Sequence, residues 1–272
     1  QASSNSKYSL FVGGGKTSET STYVNTVDAY DRDLVKVTAP AMSTQRYMWN
    51  NTCVRAGEHI MVAGGVNKAG KNNVTIDTFD IDLVLTTIND PEYQIAPGGG
   101  LTFNDKAFFA GGVDAANALT KRITIYDEDL VRIGENSLTD AKAGCFGVTN
   151  KNLAIFAGGI NGSTSSGVVD MFDKDYVATT RNDLLVARNR GGSASSEYYG
   201  VISGGAYKTD EAYDTGVTEA FTIDGAKIVL RDLTVARRYL AGGYIDGKFL
   251  FGGGQKGSST APQSVVNVYE LV

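Results

Sequence analysis

Basic residues recur at matching places in this 272-residue chain. Each closes a short element of the form L-x-x-A-R/K: LTDAK ends at Lys142, LLVAR at Arg188 and LTVAR at Arg237, with MSTQR, ending at Arg46, as a looser version. Further cations and aromatics follow directly, in Arg46-Tyr47 with Trp49 close behind, Arg188-Asn189-Arg190 and Arg237-Arg238-Tyr239. Arginine beside Tyr and Trp is the composition of binding hot spots, because each offers a large rigid contact with a polar handle. The candidate ligand-binding set is therefore Arg46, Tyr47, Trp49, Arg188, Arg190, Arg237, Arg238 and Tyr239, with Lys142 at the matching place of its own element. A second reading stands beside it: a cation repeated at one structural position can instead form a salt bridge to the neighbouring structural unit.

Other chemistry-bearing residues are few. The single histidine, His59, has no Ser and Asp arranged around it in sequence as a triad requires. Four D-x-D turns, Asp31/Asp33, Asp80/Asp82, Asp127/Asp129 and Asp173/Asp175, bring carboxylates together. A hard cation such as Ca²⁺ takes six or more oxygens, so two carboxylates fall short of a site. The alternative is an Asx turn, in which the aspartate caps its own backbone. Two cysteines, Cys53 and Cys145, are too few for a zinc site or a disulfide scaffold. No Walker or dinucleotide fingerprint is present, and no cofactor is called for.

The elements that must position these residues announce themselves as glycine pairs. FVGGG (Gly13, Gly14), MVAGG (Gly64, Gly65), FFAGG (Gly111, Gly112), IFAGG (Gly158, Gly159), VISGG (Gly204, Gly205) and FLFGGG (Gly252, Gly253) follow one another at steps of 51, 47, 47, 46 and 48 residues. Each pair precedes a variable polar loop. A β-rich run comes next, VDAYD at 27–31, IDTFD at 76–80, ITIYD at 123–127, VDMFD at 169–173, TEAFT at 218–222 and VNVYE at 266–270, then the acidic turn, a short strand and the basic element. Short runs of alternating polarity bounded by turn residues predict strands, and no helical period appears. Four antiparallel strands per unit at this period predict an all-β, six-bladed propeller occupying residues 1–272 as one domain. The basic elements then fall where an outer strand hands over to the next inner strand, on one face around a central channel.

In these features (apolar-GG, the V-D-x-Y/F-D strand and the arginine closing each unit) the chain resembles the kelch-repeat β-propellers over almost its whole length. One departure is plain: kelch units usually carry a Trp just past the Tyr-Asp strand, where Leu34, Leu83, Leu130 and Tyr176 stand here. The resemblance is to divergent bacterial or phage kelch-like repeats. It implies that arginines in the A-R-x-R context line a pocket and grip carboxylates. Galactose oxidase, an enzyme on such a propeller, holds copper with two His and two Tyr, which one histidine cannot reproduce. The S-x-D-x-G-x-T-W boxes of sialidase propellers are absent.

A net charge of −5 and a pI near 5.0 argue against nucleic acid, whose phosphates call for a basic excess. No apolar run is long enough to cross a bilayer as a helix. The chain opens on Gln1, so processing or trimming is expected, and Glu270-Leu271-Val272 ends one strand short of a full sixth blade. The expectation is that residues before Gln1 supply that outer strand within a larger multidomain chain. Secretion, a cell surface or a phage particle is the expected setting. The functional expectation is a non-catalytic module that binds a protein, peptide or carbohydrate through loops on one face. The alternatives are a sugar-active isomerase or lyase on the same scaffold, using a carboxylate such as Glu135 or Asp232 beside the arginines, or a purely structural spacer.

Overall fold

The structure is a computed structural model; it describes residues 1–16, 22–47, 52–67, 70, 72–89, 95–96, 98–114, 116–179, 183–207, 213–257 and 262–271. The described residues contain strands, turns and bridges and no helix, and six antiparallel sheets follow one another along the chain as the blades of a six-bladed β-propeller. Two compact units, Gln1–Ser137 and Leu138–Val272, hold three blades each.

In the first unit, blade one is β1 (Ala2–Ser4), β2 (Tyr8–Val12), β5 (Val27–Asp31) and β6 (Lys36–Val37), with the ribbon β3 (Gly15–Lys16) and β4 (Thr22–Tyr23) in the loop between β2 and β5. Blade two is β7 (Cys53–Ala56), β8 (His59–Ala63), β9 (Ile76–Phe79) and β10 (Leu85–Ile88). Strand β11 (Ile95–Ala96) leads into blade three, which is β12 (Gly99–Phe103), β13 (Lys106–Ala110), β15 (Arg122–Tyr126) and β16 (Arg132–Ser137), and pairs with β14 (Val113–Asp114) of that blade's loop.

In the second unit, blade four is β17 (Phe146–Thr149), β18 (Ala154–Ala157) and β21 (Val169–Phe172), with the ribbon β19 (Ile160–Asn161) and β20 (Thr164–Ser165) in its loop. A single bridge from Phe172 to Ala178 stands where its outer strand is expected. Blade five is β22 (Gly192–Ser195), β23 (Gly200–Ser203), β24 (Thr218–Phe221) and β25 (Lys227–Leu230). Blade six is β26 (Ala241–Ile245), β27 (Lys248–Gly252) and β28 (Val266–Glu270), three strands as its sequence anticipates.

Within each unit the core lies between blades. A strand sends alternate side chains to opposite faces, so each blade serves two neighbours. In β8, Ile60 and Val62 join Leu10, Val12 and Ala29 of blade one, while Met61 and Ala63 join Ala107, Phe109 and Tyr126 of blade three. In the second unit, Ile202 and Phe221 pack with Phe146, Val148 and Ile155 of blade four, and Val201 and Ala220 with Phe249, Phe251 and Tyr269 of blade six. Each fully buried Phe or Leu contributes about 1.5–3 kcal/mol of burial.

The glycine pairs end the second strand of each blade at positive φ. A Cβ on Gly158 would sit 2.4 Å from the Arg188 carbonyl oxygen, and one on Gly205 2.4 Å from that of Asn189. No side chain fits where the handover backbone crosses so closely. In the sixth copy the pair with this conformation is Gly253 and Gly254, at φ of 68° and 95°. FLFGGG is thus read one residue later than its first two glycines, because Gly252 still pairs as the end of β27.

Candidate functional site

The D-x-D turns resolve into caps. The Asp31 carboxylate accepts the backbone N–H groups of Asp33 and Val35, at 3.0 and 2.9 Å. Asp80, Asp127 and Asp173 do the same for the residues two and four positions on. The first aspartate of each pair is committed to its own turn, as an Asx turn demands. The residues standing in place of the kelch Trp adopt the left-handed conformation of this turn, with φ of 61° at Leu34, 60° at Leu83, 61° at Leu130 and 63° at Tyr176. Gly225 takes the same place in blade five. His59 meets the Glu128 carbonyl oxygen at 3.1 Å through Nδ1, a backbone contact between blades two and three.

The basic elements occupy equivalent sites. The residue after each cation makes an antiparallel bridge to a residue just past a glycine pair: Tyr47 to Val66, Ala143 to Ile160, Asn189 to Ala206 and Arg238 to Gln255. The cation itself turns inward. Arg46, Lys142, Arg188 and Arg237 are all wholly buried. Each reaches the third strand of the following blade, at the second position of its β-rich run. Arg46 pairs there with Asp77, Lys142 with Asp170 at 2.9 Å, Arg188 with Glu219 at 2.5 Å and Arg237 with the amide oxygen of Asn267 at 3.1 Å. Backbone carbonyls complete the sites: Gly64 and Thr75 accept from Arg46, Val168 from Lys142, and Phe251, Gly253 and Val265 from Arg237.

The opposing acids are equally well held. Asp77 accepts from Ser43 N–H and from the Thr87 hydroxyl, Asp170 from Thr139 N–H and hydroxyl, and Glu219 from Leu185 N–H. Burial pushes the Arg188 guanidinium below the usual arginine range, and the Glu219 carboxylate opposes that shift. Arg46, Arg188 and Arg237 fasten one blade to the next within a unit, and Lys142 fastens the segment entering blade four to β21. The sequence marked them and left both a ligand and a neighbouring blade open as partners; their charges meet a neighbouring blade. Blade two lacks the cation, and blade three correspondingly offers Thr124 where the others offer an acid or amide.

Of the residues that follow the cation, Asn189 and Arg238 are buried, and Tyr47, Arg190 and Tyr239 lie nearer the surface. Tyr239 is 46% exposed, Tyr47 41% and Tyr207 40%, and Arg190 is half-buried. In the second unit they form one cluster. Tyr239 N–H donates to the Arg190 carbonyl at 2.6 Å, and the Arg190 guanidinium lies 5.7 Å from the Tyr239 ring centre. Arg238, buried, stands 5.9 Å from the same ring and 3.7 Å from Asp214, whose other oxygen accepts Gly257 N–H at 2.6 Å. Tyr207, beside the Asn189–Ala206 bridge, packs on Tyr213 with centroids 5.2 Å apart. In the first unit Tyr47 packs on Tyr23 at 5.9 Å. Trp49 lies outside the described residues.

Arg190 and Tyr239 share an unusual backbone. Both are left-handed, at φ of 59° and 56°, and the matching residue in the third copy is Gly144 at 65°. A non-glycine residue there costs about 1 kcal/mol or more, so two large side chains are kept where glycine is the relaxed choice. Of the carboxylates considered for catalysis, Asp232 is near enough to Arg188 for its charge to favour the guanidinium's charged form. Glu135 lies on β16 and pairs with Arg122 and with Arg132, and Asp232 is exposed just after β25.

No protein-family model matches the chain, and no curated protein matches it in sequence. Among solved structures, the chain is similar to one described as the structure of YjhT, with a TM-score of 0.72 and 13% identity over 98% of this chain and 93% of that one. At that identity the likeness is one of fold.

Proposed function

We propose that the protein is a non-catalytic binding propeller, with residues 1–272 acting as one domain. Its recognition face includes the handovers on either side of blade five, where Arg190 and Tyr239 lie together. The observation that carries this reading is the left-handed backbone at Arg190 and Tyr239. Strain held at a surface position under a cation and an aromatic ring favours a role in contact over a role in folding. Arginine and tyrosine are also both enriched at the energetic centres of protein interfaces, which favours a protein or peptide partner over a glycan on this face. Arg46, Arg188 and Arg237 support the face from beneath, as fasteners between blades.

The reading is tested with a random-sequence peptide array probed by the wild-type protein and by the double variant Arg190→Gly, Tyr239→Gly. Glycine is the relaxed residue at both positions, so the fold is retained. Wild-type signals that fall at least tenfold in the variant support the face. Signals that survive unchanged, or a wild type that retains no peptide, overturn it.

A further inference from the structure

The opposite end of blades five and six in the second unit carries a different surface. The strands β22, β24 and β26 start at the handover end, so the turns that follow them lie at the other. The turns after β22 and β24, the adjoining ends of β26 and β27, and Leu271 line an open cavity of about 440 Å³, chiefly through Tyr198, Tyr199, Tyr244, Ile223, Phe249 and Leu271. That volume suits a small ligand or a single ring of a larger one.

The walls are preformed. The turn after β17 holds both neighbouring turns from behind. Asn150 Nδ2 donates to the Thr222 carbonyl at 2.8 Å, Asn152 Nδ2 to that of Ile223 at 3.3 Å, and Lys151 N–H to that of Glu197 at 2.7 Å. Ser196 Oγ accepts the N–H groups of Tyr198 and Tyr199, which sets the first turn. Tyr244 packs on the buried Phe249 ring with centroids 4.8 Å apart.

The lining states what it would accept. None of the lining side chains is charged. Tyr198 and Tyr244 are 56% and 43% exposed, and their hydroxyls have no hydrogen-bond partner among the described residues. Exposed aromatic faces with unengaged hydroxyls at the rim suit a ligand that is apolar on its faces and hydroxyl-bearing at its edge. Carboxylates adjoin the lining in sequence at Glu197, Asp224 and Glu270. Glu197 is paired with Lys151 at 2.9 Å and Glu270 with Lys248 at 3.5 Å. Asp224 accepts from the Thr222 hydroxyl, which holds its acid strength up and keeps it charged. With Glu197 and Glu270 each balanced by a lysine, the charge of Asp224 disfavours an anionic ligand and leaves a neutral one unopposed.

We propose that this cavity is a carbohydrate subsite that takes a neutral pyranose ring, stacked between Tyr198 and Tyr244 with its hydroxyls at the tyrosine rim. It is a second site, independent of the Arg190–Tyr239 face. The test is a glycan array that carries neutral oligosaccharides beside their sialylated and uronic-acid counterparts, probed with the full chain. Neutral glycans retain the wild type, and Tyr198→Ala or Tyr244→Ala lowers that retention about tenfold, in line with the loss of one aromatic stacking contact. Tyr244→Phe, which keeps the ring, loses less than Tyr244→Ala. The Arg190→Gly, Tyr239→Gly variant binds these glycans as the wild type does, so the two sites fail separately. Preference for the acidic glycans, retention of no glycan, or wild-type retention by the Tyr198 and Tyr244 variants overturns the proposal. Unfolding midpoints of the variants within a few degrees of wild type confirm that lost binding is not lost folding.

Discussion

At the scale of single residues, neighbouring positions in one short motif carry different tasks. Arg188 is wholly buried against Glu219, and Arg190, two residues on, is half-buried beside an exposed tyrosine. The sequence made both visible as A-R-x-R and could not divide them, because burial depends on a partner 31 residues away in another blade. The acid was visible too, at the second position of four of the six β-rich runs, but only the structure joins the two patterns. The buried thiols give a further prediction. Burial pushes Cys53 up to about 12 and Cys145 to about 11. Folded, both keep their protons at pH values where an unfolded thiol has lost its own, so their contribution is fully present below about pH 9 and declines as pH rises beyond it. At pH 8 a thiol reagent such as DTNB should label neither cysteine in the native protein and both after denaturation. Rapid native labelling would contradict their burial.

At the scale of elements, the glycine period, the strands and the acidic turns were legible because each has a local cause. A glycine pair marks a close backbone crossing, and an aspartate marks a capped turn. Asp127→Ala removes the acceptor for two backbone N–H groups, and a loss of about 1–2 kcal/mol is expected in denaturant unfolding. Asp129→Ala, whose carboxylate takes no part in the cap, should cost less than about 0.5 kcal/mol. Equal losses would show that the turn is held by something else. The aromatic cavity was illegible for the opposite reason. Its lining comes from two turns, the β26–β27 hairpin and Leu271, spread over 76 positions from Ser196 to Leu271, and no local pattern links them.

At the scale of the molecule, the repeat foretold six blades and the structure supplies them; among the described residues a bridge stands at the outer edge of blade four, and blade six holds three strands. The reading of the chain as one domain predicts a single cooperative unfolding transition by calorimetry, with calorimetric and van't Hoff enthalpies equal. Two separable transitions would mean that Gln1–Ser137 and Leu138–Val272 fold as separate domains. The acidic balance of the chain does not decide its partner, since the proposed recognition face carries a local cation of its own.

At the handover into blade five, Arg188 fastens the blade from within, and Arg190, two residues on, is the cation proposed to face the partner. Denaturant unfolding of Arg188→Ala beside Arg190→Gly tests this division most directly. Arg188→Ala strips the direct cation from buried Glu219 and should cost about 3 kcal/mol, the lower end for a broken buried pair because Lys227 remains 3.3 Å away. Arg190→Gly should leave stability unchanged or slightly higher, since glycine relaxes the left-handed position. A silent Arg188→Ala, or an Arg190→Gly as damaging as its neighbour, would contradict the division.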